Sequence, residues 1–174
     1  NRSSQTGGAI YNTGNLSVNI CEFSLNSSRH KGGAVYSTVT GNVKVHRTRF
    51  NKNYLDFATG QFSNPYTNGG AICSENRLEV VNCILDKNRS TSGGAVWASN
   101  KLKLINNTFY NNEAYLGVAA PGLGGAVEYQ YRGAGEVNGY IYNNIFNSNL
   151  GINGWALYTA GASSQLGVGL IVQN

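Results

Sequence analysis

Residues 93–97 read Gly93-Gly94-Ala95-Val96-Trp97, and the start of that string recurs along the chain. Gly-Gly-Ala followed by Ile or Val begins at Gly7, Gly32, Gly69, Gly93 and Gly124. A worn copy, Gly154-Trp155-Ala156-Leu157, takes the sixth place. Successive starts lie 25, 37, 24, 31 and 30 residues apart. Self-similarity at such a period marks a stacked repeat architecture and is read before any local pattern.

A second string accompanies the first. Phe-x-x-Asn pairs Phe23 with Asn26, Phe50 with Asn53, Phe109 with Asn112 and Phe146 with Asn149, and Leu85 with Asn88 fills the remaining place. Between the two strings lie alternating apolar segments: Leu16/Val18/Ile20, Val43/Val45, Leu78/Val80, Leu102/Leu104 and Tyr140/Tyr142 around Ile141. Asn82, Asn106 and Asn143 close three of these segments at one equivalent position. Short runs with period-2 alternation and Asn/Gly boundaries are strands. Each repeat is thus expected to hold three short strands and three turns. One turn cannot bury its apolar face alone, whereas turns stacked ~4.8 Å apart bury a continuous column. The expected fold is all-β: a right-handed parallel β-helix, a single-stranded solenoid of six coils of three strands, open at both ends. Phe23, Phe50, Leu85, Phe109 and Phe146 should stack inside. Asn26, Asn53, Asn88, Asn112 and Asn149 should form a ladder, because an Asn amide bonds its equivalents above and below.

Variation between repeats follows the same plan. The gaps from the ladder asparagine to the next Gly-Gly are 6, 16, 5, 12 and 5 residues, so insertions gather at turns (residues 54–68 and 113–123). Asn1 precedes Gly7 by the same gap that separates Asn26 from Gly32, which places Asn1 on a preceding rung. At the other end, Leu170 and Val172 align with Leu78 and Val80, which makes residues 170–174 a second strand and leaves the last coil without its third. Residues 1–174 are therefore read as one β-helix domain, a piece of a longer solenoid or a subunit that stacks end to end on identical copies.

The alternation of GGA[ILV] with FxxN resembles the polymorphic outer membrane proteins of chlamydiae, and is similar to β-helix passenger domains of autotransporter-type surface proteins. The resemblance covers nearly all of the chain. It implies a secreted or cell-surface protein used in adhesion or as a structural stalk, with a glycan or a host surface receptor as partner.

Composition narrows the alternatives. Charged residues are 12% of the chain, about half the usual share, while hydrophobic residues are 41%, enough to fill a core. The net charge of +5 is scattered, with one tight basic run at Arg29-His30-Lys31, and no nucleic-acid reading module accompanies it. No apolar stretch approaches the ~20 residues of a spanning helix. Met is absent and residue 1 is Asn, as in a mature piece or an internal fragment. The three cysteines, Cys21, Cys73 and Cys83, form no C-x-x-C. Cys21 and Cys83 share an inward slot two coils apart with Thr48 between them, ~9.6 Å by stacking, beyond the ~7 Å limit of a disulfide. All three are expected to be free, with Cys73 facing outward.

Parallel β-helices also carry lyases and glycosidases, so the fold alone does not decide function. A glycosidase needs two facing carboxylates, and a lyase needs a Ca²⁺-binding carboxylate cluster with a base. The eight carboxylates here form no Asp-x-Asp pair and fall at different coil positions. The best enzyme candidate is the fifth coil, Glu128, Tyr129, Gln130, Tyr131, Arg132 and Glu136, where Glu128 as an acid competes with a solvated loop residue. His30 and His46 are expected to be solvated. If the residue after Ala points inward, the next points outward. That column reads Tyr11, Tyr36, Cys73, Trp97, Glu128 and Tyr158, and its rings suit sugar stacking or a partner chain. Lys44, Glu79 and Lys103 share an outward position on successive second strands. The sequons at Asn1, Asn15, Asn26, Asn88 and Asn106 match what a chain rich in Asn, Ser and Thr produces by chance. The expectation is a non-enzymatic extracellular scaffold, adhesin or fibre, without cofactor or metal. The alternative is a carbohydrate-active enzyme or a carbohydrate-binding β-helix.

Overall fold

The computed structural model describes residues 1–56, 67–114, 122–130 and 139–160 in full, and residues 166–172 as backbone strand. Each Gly-Gly-Ala string leads into a strand, and these strands pair in parallel, coil upon coil. Ile10–Asn12, Val35–Ser37, Ile72–Ser74, Val96–Ser99, Val127–Gln130 and Leu157–Ala160 form one six-stranded sheet. Its register keeps Ile10, Val35, Ile72, Val96, Val127 and Leu157 in one column. The alternating segments form a second column: Asn15–Asn19, Asn42–His46, Arg77–Val81, Lys101–Ile105 and the start of Gly139–Asn147. The Phe-bearing strands Glu22–Ser24, Arg49–Asn51, Ile84–Asp86 and Thr108–Tyr110 form a third column. Gly139–Asn147 runs unbroken through the bend and joins the second and third columns into one sheet. The result is a parallel β-helix with open sheets.

Two expectations need correction. A coil holds four strands, not three: Ser27–Ser28, Tyr54–Leu55, Arg89–Ser90 and Glu113–Ala114 make a further parallel sheet after the ladder asparagine. Two-residue strands show no alternation to read. The last strand is also differently placed. Leu166–Val172 pairs with Gly139–Asn147, so that Leu166 and Val168 align with Gly139 and Ile141, and Val172 aligns with Phe146. The last coil therefore carries its third-strand rung. Residues 166–168 and 170–172 both match the L-x-V pattern, and the backbone pairing selects the first of them for the second-strand slot.

The interior is as dry as the repeat requires. Phe50, Leu85, Phe109 and Phe146 are buried in one column, with Phe23 half-buried at its end. The rings of Phe23 and Phe50 stack at 5.0 Å and those of Phe109 and Phe146 at 4.8 Å, both nearly parallel. Val43, Val45, Leu78, Val80, Leu102, Leu104 and Ile141 line the second face. Burial of each such side chain contributes ~1.5–3 kcal/mol.

The bends separate two roles that the sequence suggested a single Asn would combine. Leu25, Lys52, Lys87, Asn111 and Ser148 take left-handed φ of 52–56°. The next residue, Asn26, Asn53, Asn88, Asn112 or Asn149, turns inward and forms the ladder. In each inner rung both the backbone N–H and Nδ2 donate to Oδ1 of the following coil's asparagine: Asn53 to Asn88 at 2.9 and 3.0 Å, Asn88 to Asn112 at 3.0 and 3.0 Å, Asn112 to Asn149 at 3.0 and 2.9 Å. Asn1 joins as a preceding rung, its Nδ2 donating to Asn26 Oδ1 at 3.1 Å. Left-handed φ costs an ordinary residue ~1–2 kcal/mol, which the ladder bonds, at ~0.5–1.5 kcal/mol each, offset.

The bend after the second strand repeats the device. Ile20, Arg47, Asn82, Asn106 and Asn143 are left-handed, and the residues after them form a second ladder. Cys21 N–H donates to Thr48 Oγ1, Thr48 N–H to Cys83 Sγ, Cys83 N–H to Asn107 Oδ1 and Asn107 N–H to Asn144 Oδ1. Asn107, not Asn106, is thus the rung; Asn106 is exposed. All three cysteines are free, and Cys21 is exposed at the first coil rather than enclosed.

Candidate functional site

The first sheet carries the candidate site on its outer side. Its register places Tyr11, Tyr36, Cys73, Trp97, Glu128 and Tyr158 in one column, as alternation requires. The expected open ladder of rings is not what this column presents. Tyr11 is 59% exposed, but Tyr36, Cys73 and Trp97 form a second buried apolar cluster outside the coil interior. Trp97 is 3% exposed and Glu128 0%. Alternation fixes the side of the sheet a residue occupies; it does not say what else packs there. Sugar stacking along the whole column is therefore closed, and the solvated-loop reading of Glu128 is overturned.

The cluster is polar as well as aromatic. Lys31 ion-pairs with Glu75 and lies 5.5 Å over the Tyr36 ring. Tyr36 meets Tyr11 edge to face at 5.4 Å. Burial, then the neighbouring Glu75 carboxylate, pushes the Tyr36 phenol well above its ordinary range. Burial likewise pushes the Cys73 thiol far up, which disfavours the thiolate. Gln130 Nε2 donates to Glu128 Oε1 at 2.7 Å. Burial raises the Glu128 carboxyl above its usual range, partly offset by the polar side chains of Ser92, Gln130 and Trp97. Glu128 thus presents no exposed edge to solvent. Tyr131, Arg132 and Glu136 lie outside the described residues.

Five other carboxylates, Asp56, Glu75, Glu79, Asp86 and Glu113, face basic side chains, while Glu22 is exposed. Arg49 holds Asp86 through two bonds of 3.1 Å. Glu79 meets Lys103 at 3.4 Å and His46 at 3.6 Å, while the register confirms Lys44, Glu79 and Lys103 as one outward column. Arg89 stands 3.9 Å from Glu113, and Arg2 pairs with Asp56. Among the described residues no trio of His, Cys, Asp and Glu is placed to hold a metal. None of them forms a helix long and apolar enough to cross a membrane. The sequon asparagines Asn26 and Asn88 are buried with their amides committed to the ladder.

Exposed aromatic surface lies elsewhere, on the outer face of the large sheet. Tyr140 and Tyr142 stack at 6.3 Å, and Tyr110 and Ile145 are also exposed. The apolar alternation marked these strands, but their outward tyrosines were read only as spacing.

Residues 20–38 match the Chlamydia polymorphic membrane protein (Chlamydia_PMP) repeat. The match spans Phe23, the Asn26 rung and the Gly32-Gly33-Ala34 corner. No curated protein and no solved structure matches the chain.

Proposed function

We propose that this chain is a non-enzymatic β-helical scaffold of a cell-surface or secreted protein, built by the kind of repeat that chlamydial polymorphic membrane proteins carry. One observation supports it above others: of the seven described carboxylates, five face a basic side chain, one is fully buried, and Glu22 alone is left exposed on its strand. Asp56, Glu75, Glu79, Asp86 and Glu113 each face a basic side chain, and Glu128 is fully buried. The repeat match at residues 20–38 supports the surface location. In this role the stack supplies length and rigidity, and its partners are further coils, identical subunits, or a glycan or receptor at its surface. The test is turnover of a panel of uronic-acid polysaccharides, followed by reducing ends and by absorbance of unsaturated products. No turnover is expected. Robust turnover lost in Glu128→Gln would replace the scaffold with an enzyme.

A carbohydrate-binding reading has its own support in the stacked, exposed pair Tyr140 and Tyr142. Stacked rings of this kind offer apolar faces to sugars. Glycan-array binding lost in Tyr140→Ala, yet kept in Trp97→Ala, would establish that reading.

A further inference from the structure

We infer that Trp155 is a steric stop that bars another Gly-Gly-Ala coil from being laid in register on the sixth coil. The argument rests on what the second glycine of each corner accommodates. A Cβ placed on Gly8, Gly33, Gly70, Gly94 or Gly125 would lie 2.0–2.1 Å from a carbonyl oxygen of the next coil. Those oxygens belong to Gly33, Gly70, Gly94, Gly125 and Trp155, the equivalent residues one coil on. The same Cβ would press on the fourth-strand backbone, or its equivalent, that leads into that next corner, at 2.5 Å from Ser27 O and 2.6 Å from Leu150 C. Both contacts are to backbone, so no rotamer change relieves them. An ordinary carbon–oxygen contact is more than an ångström longer, which is why five successive corners carry glycine here.

Trp155 is the sixth member of that column, and it brings a Cβ and an indole. The space a seventh corner oxygen must enter is already filled. The block acts in one direction only, because the clash is between one coil's Cβ and the following coil's oxygen. Gly8 at the other face offers its carbonyl to a preceding coil without such a conflict. Elsewhere the last face is built to be extended: each inner rung donates onward to the next coil, and Asn149 stands at the head of that series. Exposed strands recruit further strands unless something prevents it. In-register head-to-tail stacking of identical copies is blocked at this corner, and any chain that follows must leave the Gly-Gly geometry.

The claim separates the Cβ from the indole, and so does the test. The full 174-residue chain, Trp155→Ala and Trp155→Gly are compared by sedimentation velocity over a wide concentration range, with amide exchange read at Asn149 and Gly154. Trp155→Ala keeps the Cβ and is expected to sediment like the unmodified chain. Trp155→Gly alone is expected to grow in multiples of the chain mass, with slowed exchange at both amides. Equal behaviour of the Ala and Gly variants, whether both associate or neither does, overturns the stop. So does slowed exchange at these amides in the unmodified chain through stacking on that face.

Discussion

Replacing Asn88 by Ala tests whether the ladder holds the coils together. Asn88 is fully buried at the middle of the stack. Its Oδ1 accepts from the N–H and Nδ2 of Asn53, and its Nδ2 donates to Phe50 O and Asn112 Oδ1. The substitution removes all four bonds and strands the Asn53 backbone N–H in a dry bend. A stranded buried N–H costs ~1–3 kcal/mol and each of the other bonds contributes ~0.5–1.5 kcal/mol, so the expected loss is about 4 kcal/mol. Asn26→Ala is the control. Asn26 Oδ1 accepts from Asn1, which is exposed, and its Nδ2 donates to Asn53 Oδ1, so the substitution strands no buried backbone amide. It should cost about 1–2 kcal/mol. Urea unfolding followed by fluorescence of the buried Trp97 gives the global change. Because coils contact only their neighbours, amide exchange at Asn53 and Asn112 then shows whether the damage is local to the rung. A loss at Asn88 no greater than at Asn26, or below about 1 kcal/mol, would refute the ladder as a source of stability.

Phe109→Ala removes a ring stacked on Phe146 in the closed interior and should cost ~3–5 kcal/mol in the same unfolding assay. Glu128 gives the fold a pH dependence: its folded pKa lies above the unfolded value, so its contribution is complete below the unfolded pKa and is lost as pH rises through the folded one. Glu128→Gln should flatten that decline in a series of melts; a chain that gains stability over the window relative to the variant would mean Glu128 is ionised in place. With a thiol reagent, Cys21 should react in the native protein, whereas Cys73 and Cys83, buried and with raised pKa, should react only on unfolding.

The features legible in the sequence are those that every coil must repeat for one backbone reason. Gly93 and its equivalents hold φ of 59–71°, the ladder asparagines supply a donor and an acceptor at one bend, and the Phe column fills one interior slot. Each leaves the same residue, or in the Phe column one large apolar substitute, at a fixed offset. The second ladder is just as continuous but mixes Cys, Thr and Asn, since the bend asks only for a small side chain with an acceptor. Its first three members, Cys21, Thr48 and Cys83, were visible as a shared slot, and following that slot two coils further leads to Asn107 and Asn144. The short fourth strands leave no trace because two residues cannot alternate. The last strand differs from the sequence expectation because residues 166–168 and 170–172 carry the same L-x-V pattern, so the apolar period does not choose between the two registers.

A stack of near-identical coils makes departures from the repeat the informative residues. Leu85 stands in the Phe column, where any large apolar side chain keeps the interior filled, so the change is tolerated by shape. Glu128 stands in an outer column otherwise held by Tyr, Trp and Cys, where Gln130 bonds its Oε1 and burial raises its pKa, which favours the neutral form. No comparable accommodation exists for Trp155. A Cβ at 2.0–2.1 Å from backbone cannot be absorbed by repacking, by protonation or by a rotamer change. The second corner position therefore divides the architecture: glycine where a coil is to follow in register, anything larger where one is not. A column of glycines broken once by a larger residue thus marks the one corner among those described where in-register stacking is opposed.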